Sequence, residues 1–456
     1  MSEISPEFEN QDDVQPLPEH EEARKAWPNI PETFPEGFPP GYRPWVDGWA
    51  FSLEKMKEKN ADGTYKLLTL DLSISEEEYI ERVNSGPAES LSERAEKEYK
   101  CDIRCKHCFE CKTDTNNPLM TFDEVKGVVE RAKALGLETV KFLGPGELLH
   151  NPKLFEILDY FEQEGITISI FTKGVILGDD TLAEKNFHLS ASELCNKIAS
   201  YSTARLLVGF TSASPDVEQA RIGSTIQDFS EKRNRGLENA TEAGMNSNPQ
   251  LQRMALICAP VLRDNIDEVL AIYQWGAKRN IPTVVAPTMV SGKGQEQPEV
   301  TDTDFKERRL VDLYASIYEW MVREGIMTLD DVKQESVSPY AGYACNQFIN
   351  GMFIRKDGRV QACPGNESYV FRYSNDIRKE NLAEVWKHSV GYKKREQLVE
   401  SGKITLTQPC YAKTEGELML GNKPGSIPKD FYESVLRRLE VRLGAPQPEA
   451  NEPFEV

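Results

Sequence analysis

Between residues 66 and 290 six short apolar runs alternate with helical patterns, and this alternation constrains the chain more than any other feature. The runs are KLLTLDLSI (66–74), ETVKFLG (138–144), ITISIFTKG (166–174), ARLLVGFTSA (204–213), QRMALICAPV (252–261) and IPTVVAPTM (281–289). Between them lie segments with helical spacing. In TFDEVKGVVERAKALG the apolar Val125, Val128, Val129 and Ala132 fall on one face, with Thr121 and Asp123 near a start and Gly136 near a stop. NPKLFEILDYFEQEG, ASELCNKIASYS, DFSEKRNRGLENATEAG and NIDEVLAIYQWGAKRN follow the same rule. Strands alternating with helices imply right-handed βαβ units and a parallel sheet. In such folds chemistry gathers at the C-terminal ends of the strands.

Outside this region the composition changes. Residues 1–65 are rich in proline and carry little periodic pattern, yet Trp27, Phe34, Tyr42, Trp45 and Trp49 imply that part of the extension docks. A helical linker (DFKERRLVDLYASIYEWMVREG) lies within 296–340. From 341 to 456 the pattern is short strands and turns, and NGMFIRKDGRVQACP reads as a hairpin turning at Asp357-Gly358. The chain has 456 residues, 39% of them hydrophobic, and a formal net charge of -20. No run approaches the ~18 apolar residues of a membrane span. The polar start MSEISPEFENQDD has no secretory pattern, so a cytoplasmic protein without a membrane partner is expected. The negative charge and the lack of a basic run argue against a nucleic-acid partner.

Nine cysteines in a reducing compartment point to metal or catalysis rather than disulfides. Four fall in CDIRCKHCFEC, at Cys101, Cys105, Cys108 and Cys111, directly after the first strand and its insertion. Zinc sites usually come as separated pairs, whereas these spacings overlap. Three closely spaced thiolates suit a [4Fe–4S] cube and leave its fourth iron free to bind a small molecule. Cys195 and Cys258 stand alone in apolar surroundings and read as core thiols.

Cys101-x3-Cys105-x2-Cys108 resembles the signature of the radical S-adenosylmethionine (AdoMet) enzymes, with His107 in the usually aromatic position before the last cysteine. Further segments resemble that family in order. FLGPGELLHNP (142–152) is similar to its glycine-rich GGE motif through Gly144, Gly146 and Glu147. FTKG (171–174), with Thr172, resembles its third-strand TNG turn, with Lys173 replacing the asparagine. VGFTSASPDVEQARIG (208–223) offers Ser212 and Arg221, and APVLRDNIDEV (259–269) offers Asn265. The resemblance covers about residues 66–290 and implies a partial (β/α)6 TIM barrel over 66–295. It further implies that the three cysteines hold an AdoMet-binding [4Fe–4S] cluster. The glycines would admit the methionyl part, Glu147 would meet its amino group, Ser212 and Arg221 its carboxylate, and Asn265 its nucleoside. One electron, from a flavodoxin- or ferredoxin-type donor, would cleave the sulfonium to a 5′-deoxyadenosyl radical that abstracts a substrate hydrogen.

The last quarter carries Cys345, Cys363 and Cys410. CNQFINGMFIRKDGRVQACP and the Trp386 segment NLAEVWKHSVGYKKRE resemble the smaller α+β domains called SPASM and Twitch, which imply an auxiliary [4Fe–4S] cluster. Lys413 stands where the resemblance expects a fourth cysteine. Cys111, a non-cysteine residue or substrate remains open for that ligand, and Cys111 is otherwise an ordinary buried thiol. Two substrates stay in view: a small polar metabolite of sugar, aminoglycoside or nucleotide type, to be oxidised, epimerised or rearranged, and a ribosomally made peptide. Residues 1–65 do not read as a leader-binding domain, which favours the metabolite. No catalytic side chain is assigned.

Overall fold

The six runs form strands β1 (Thr69–Ser73), β2 (Thr139–Gly144), β3 (Thr167–Thr172), β4 (Ala204–Gly209), β5 (Met254–Val261) and β6 (Thr283–Pro287) in a computed structural model of the chain. The structure describes residues 27–87, 90–98, 101, 103–110, 115–223, 226–335, 345–365, 372–401, 410, 413–414 and 425–444. Each strand pairs in parallel with the next, in the order β6-β5-β4-β3-β2-β1. The fold is α/β, a curved and mostly parallel sheet of the partial TIM-barrel kind with its helices outside. Leu70, Leu72, Val140, Ile168, Ile170, Leu206 and Leu256 pack outward against that helical layer and are fully buried. Two-sided burial makes β5 and β6 nearly continuous apolar runs, whereas β1 and β3 alternate, with Asp71 and Ser169 on the other face.

Local signals set the helix ends. Thr121 caps Phe122–Lys133 in a reciprocal pair with Glu124, and Ser190 caps Ala191–Ser200 likewise with Glu193. Gly165, in the left-handed region, closes Leu154–Glu164 and turns the chain into β3. The linker is helical over Phe305–Leu310 and Val311–Arg323. Against it packs a C-terminal helix, Phe431–Arg442, with Phe431 edge-on to Tyr314 at 5.0 Å.

The sheet continues past β1. The hairpin read from the sequence supplies β7 (Gly351–Ile354) and β8 (Val360–Gln361), turning at Asp357-Gly358, with Gly358 at φ +80. A short β9 (Arg372–Ser374) follows, antiparallel to β8. β7 pairs in parallel with β1, so the cysteine-bearing C-terminal segment is joined to the barrel edge by shared backbone hydrogen bonds. Trp386, on helix Leu382–His388, is fully buried and donates to the Tyr65 carbonyl at 2.8 Å.

The proline-rich extension, described from residue 27, closes the barrel from below. Val46 bridges to Gln252 just before β5 and packs on Leu207, Ala255 and Val284 of the inner barrel face. A Cβ on Gly48 would lie 2.6 Å from Thr167 and 3.2 Å from Thr139, the first residues of β3 and β2. Only glycine passes that close at φ +75. Asp47 binds the buried Arg205 guanidinium, with Nε at 2.9 Å. Trp27 stacks near Phe210 and Trp275 at 5.7 and 5.5 Å. No helix among the described residues is long and apolar enough to cross a membrane.

Candidate functional site

The first cysteine set sits on a loop above β1 that backbone bonds tie to its neighbours. Gly223 N donates to the carbonyls of Ile103 and Arg104, Lys106 N donates to Arg221 O at 2.9 Å, and Lys293 N donates to Cys108 O at 3.0 Å. Ile103 anchors the loop in a small apolar cluster with Val175, Ile222 and Phe229, against which Cys101 and Cys105 pack. A Cβ on Gly223 would lie 2.7 Å from Arg104 O, so glycine is what lets the two backbones touch. Burial pushes the Cys101 thiol up to about 11 and also raises Cys105. Such thiols give up their protons only as a metal binds. Burial, with Lys173 and Arg221 nearby, keeps the His107 imidazole well below its ordinary range.

A cavity of about 1390 Å³, counting its open mouth, runs down from this loop into the barrel. Cys105, His107, Cys108, Gly146, Glu147, Thr172 and Lys173 line its upper wall. Glu147 is held by Thr172 Oγ1 at 2.6 Å and by Lys173 N at 3.1 Å. Gly144 and Gly146 have φ +130 and +79, which only glycine adopts without strain. A Cβ on Gly146 would meet nothing within 4 Å, so open cavity lies beside that backbone.

Cys345 and Cys363 line the same cavity from the C-terminal side. Cys410 is buried, and its N–H donates to Tyr432 Oη at 2.9 Å. Lys413 lies among these three cysteines, fully buried, and donates from Nζ to Pro287 O at 2.7 Å. Burial raises the Cys345 and Cys363 thiols and lowers the Lys413 ammonium, whose charge the neighbouring thiols favour. Cys111 lies outside the described residues.

The other residues read from the sequence are engaged behind the wall. Ser212 Oγ donates to Glu268 at 2.8 Å. Arg221 pairs with Asp264 and donates to Pro260 O at 3.1 Å. Asn265 donates to Thr211 O at 2.6 Å and accepts from Leu262 N at 2.8 Å. They shape the loops after β4 and β5, together with the buried Glu218–Arg233 pair, whose guanidinium also lies 3.9 Å from the Phe210 ring. Cys195 and Cys258 are buried core thiols facing carbonyls at 3.8 and 3.9 Å.

Sequence reasoning did not single out Asp71, Lys141, Asn346 and Gln347, which also line the cavity. Asp71 and Lys141 face each other in the β1–β2 register, 3.8 Å apart and almost fully buried. Burial raises the Asp71 carboxyl to about 6. The Lys141 ammonium also sits 4.7 Å from the centre of the Trp49 ring, which reaches the cavity from the N-terminal plug. The available signal was a single charged residue within each strand, Asp71 in TLDLS and Lys141 in TVKFLG.

The upper wall fits an iron–sulfur cluster with AdoMet. Among the described residues no three Cys, His, Asp or Glu side chains are grouped to hold a single metal ion. Cys105 and Cys108 instead share one wall with an anchored carboxylate and a side-chain-free backbone beside open space. A cluster held by thiolates would take the cysteines, and the amino group of AdoMet would find a hydrogen-bond acceptor in Glu147.

Comparison with known proteins agrees. Residues 99–276 match the Radical SAM superfamily. Among curated proteins, a probable GTP 3',8-cyclase of Methanococcus maripaludis is 25% identical over 182 residues, covering 38% of this chain and 54% of that protein. The chain thus spans about half the length of that relative. An AdoMet-dependent heme synthase of Methanosarcina barkeri is 22% identical over 324 residues, covering 64% of this chain and 81% of that protein. Among solved structures, native anSMEcpe with bound AdoMet superposes with a TM-score of 0.50 at 12% identity, over 82% of this chain and 96% of that one, which speaks to the fold. Residues 99–276, which include β2 to β5 of the parallel sheet, are thus similar to the radical SAM superfamily domain.

Proposed function

We propose that this protein is an AdoMet-dependent radical enzyme acting on a small polar metabolite, with a second iron–sulfur cluster at the far wall of its substrate cavity. One observation carries the reading: a single cavity is lined at one side by Cys105, Cys108 and Glu147, and at the other by Cys345 and Cys363. Cys101, Cys105 and Cys108 would hold the first cluster, and Cys345, Cys363 and Cys410 the auxiliary one. Bound there, the first cluster and AdoMet supply one-electron cleavage of a carbon–sulfur bond and abstraction of a substrate hydrogen atom.

The chain's own residues then do the positioning. Glu147, oriented by Thr172 and the Lys173 amide, presents a carboxylate to a cationic amino group. Gly146 gives close approach to backbone. The plug residues Val46 and Trp49 close the barrel floor and exclude water from below. Lys413 places a buried positive charge among three thiols, which offsets the negative charge of a cluster ligated by thiolates. A flavodoxin- or ferredoxin-type protein is the proposed electron donor. The names of the curated relatives refer to a nucleotide and to haem, which supports a small molecule over a peptide.

The test is anaerobic reconstitution with iron and sulfide, followed by AdoMet and dithionite. The expected product is 5′-deoxyadenosine. A folded, iron-loaded protein that releases none contradicts the proposal.

A further inference from the structure

We infer that the barrel floor contains a built polar seat for the substrate, and that it selects a hydroxylated or amino-bearing molecule of low net charge. The inference rests on the reading above and adds where and how the substrate binds. The cavity is two-sided. Toward β4, β5 and β6 its lining is apolar, from Leu207, Ile257, Val284 and Ala286. Toward β1, β2 and the C-terminal segment it is lined by Asp71, Lys141, Asn346 and Gln347. The strand register produces the polar half, because Asp71 and Lys141 are direct cross-strand neighbours. The chain just before β7, itself paired to β1, brings Asn346 and Gln347 to the same side.

These groups are buried, and each keeps one polar atom without a hydrogen bond among the described residues. Asp71, Asn346 and Gln347 are 4%, 3% and 6% exposed. Asp71 Oδ1, Asn346 Nδ2 and Gln347 Oε1 have no hydrogen-bond partner among the described residues. Buried polar atoms in folded proteins are nearly always paired, so the two unpaired amide atoms, with Asp71 Oδ1 met only by Lys141 Nζ at 3.8 Å, point to a ligand or ordered water that completes them. The orphan set is two acceptors and one donor, and the Lys141 ammonium adds donors. A hydroxyl both donates and accepts, and an amine donates to Asp71 and Gln347, so polyols, amino alcohols and zwitterions match. At this seat a phosphate does not match: Lys141 already faces the Asp71 carboxylate, which would repel it, and the cavity's other lysines, Lys173 and Lys413, lie beside the two cysteine sets rather than at the seat. The apolar half takes the body of the molecule and leaves its polar end fixed, as positioned hydrogen abstraction requires.

The experiment measures binding to the reconstituted full-length protein with AdoMet, by thermal midpoint and then by calorimetry. The probes are glucosamine, myo-inositol and L-tyrosine against GTP and inorganic pyrophosphate. At least one of the first three should bind, and Asp71→Asn and Gln347→Leu should each weaken it by about tenfold or more. Circular dichroism and iron content verify that each variant is folded and loaded. Binding by GTP or pyrophosphate alone, by no probe, or undiminished in both variants overturns the seat. If the wild-type protein yields no 5′-deoxyadenosine, the fault lies with the proposed function. If it does and the probes fail, the fault lies with the seat.

Discussion

Replacing Asp71 with asparagine should change how the stability of the chain depends on pH. The Asp71 carboxyl is enclosed in the barrel, and burial raises it to about 6, with Lys141 opposing that rise. An unfolded aspartate titrates near ~3.9, so the folded state holds its proton over about two further units. The sign follows from proton counting. Between the two values the folded chain binds more protons than the unfolded chain, so this group's contribution to stability falls as pH rises. It is most favourable below ~4 and fully lost above about 6. At 1.36 kcal/mol per unit the ceiling is about 3 kcal/mol. An amide at 71 does not titrate, so the cost of removing Lys141's partner displaces the curve without changing its slope. The assay is urea unfolding of the metal-free chain, wild type and Asp71→Asn, from pH 4 to 7.5. The wild type minus the variant should fall by up to about 3 kcal/mol across that range. A flat difference, or one that rises with pH, refutes the raised carboxyl and the enclosed site that causes it.

Other perturbations follow from the same geometry. Glu147→Gln removes the charge held by Thr172 and Lys173 and should weaken AdoMet binding by about tenfold to a hundredfold in equilibrium dialysis. Gly223→Ala would drive a Cβ toward Arg104 O and displace the first cysteine loop, so colorimetric iron should fall by up to about four atoms per chain. Trp49→Ala empties the space between Phe171, 5.4 Å away, and the Lys141 ammonium. It should lower stability by about 2–4 kcal/mol in chemical unfolding.

The strands were legible because short runs with buried apolar residues, such as KLLTLDLSI and ITISIFTKG, alternate with helical patterns along the chain. One helix start was legible because Thr121 caps within its own first turn. Of the residues singled out in the sequence, Cys105, His107, Cys108, Gly146, Glu147, Thr172, Cys345 and Cys363 line the cavity. What escaped was long-range. Asp71 meets Lys141 only once β1 and β2 pair, seventy residues apart in sequence. Asn346 and Gln347 reach the cavity only because β7 adds to β1, which no local pattern announces. Aromatic residues in the extension implied docking, but not that Trp49 would become part of the cavity floor. Ser212, Arg221 and Asn265 are taken up by Glu268, Asp264 and Thr211, partners that the fold supplies.

The central claim is that two iron–sulfur sets face one cavity, and iron content with AdoMet cleavage tests it directly. The reconstituted wild type should carry about eight iron atoms per chain, and Cys345→Ala/Cys363→Ala about four. That variant should still release 5′-deoxyadenosine with dithionite, whereas Cys105→Ala/Cys108→Ala should release none. A wild type holding about four iron atoms, unchanged when Cys345 and Cys363 are replaced, contradicts the second cluster and with it the account of the cavity.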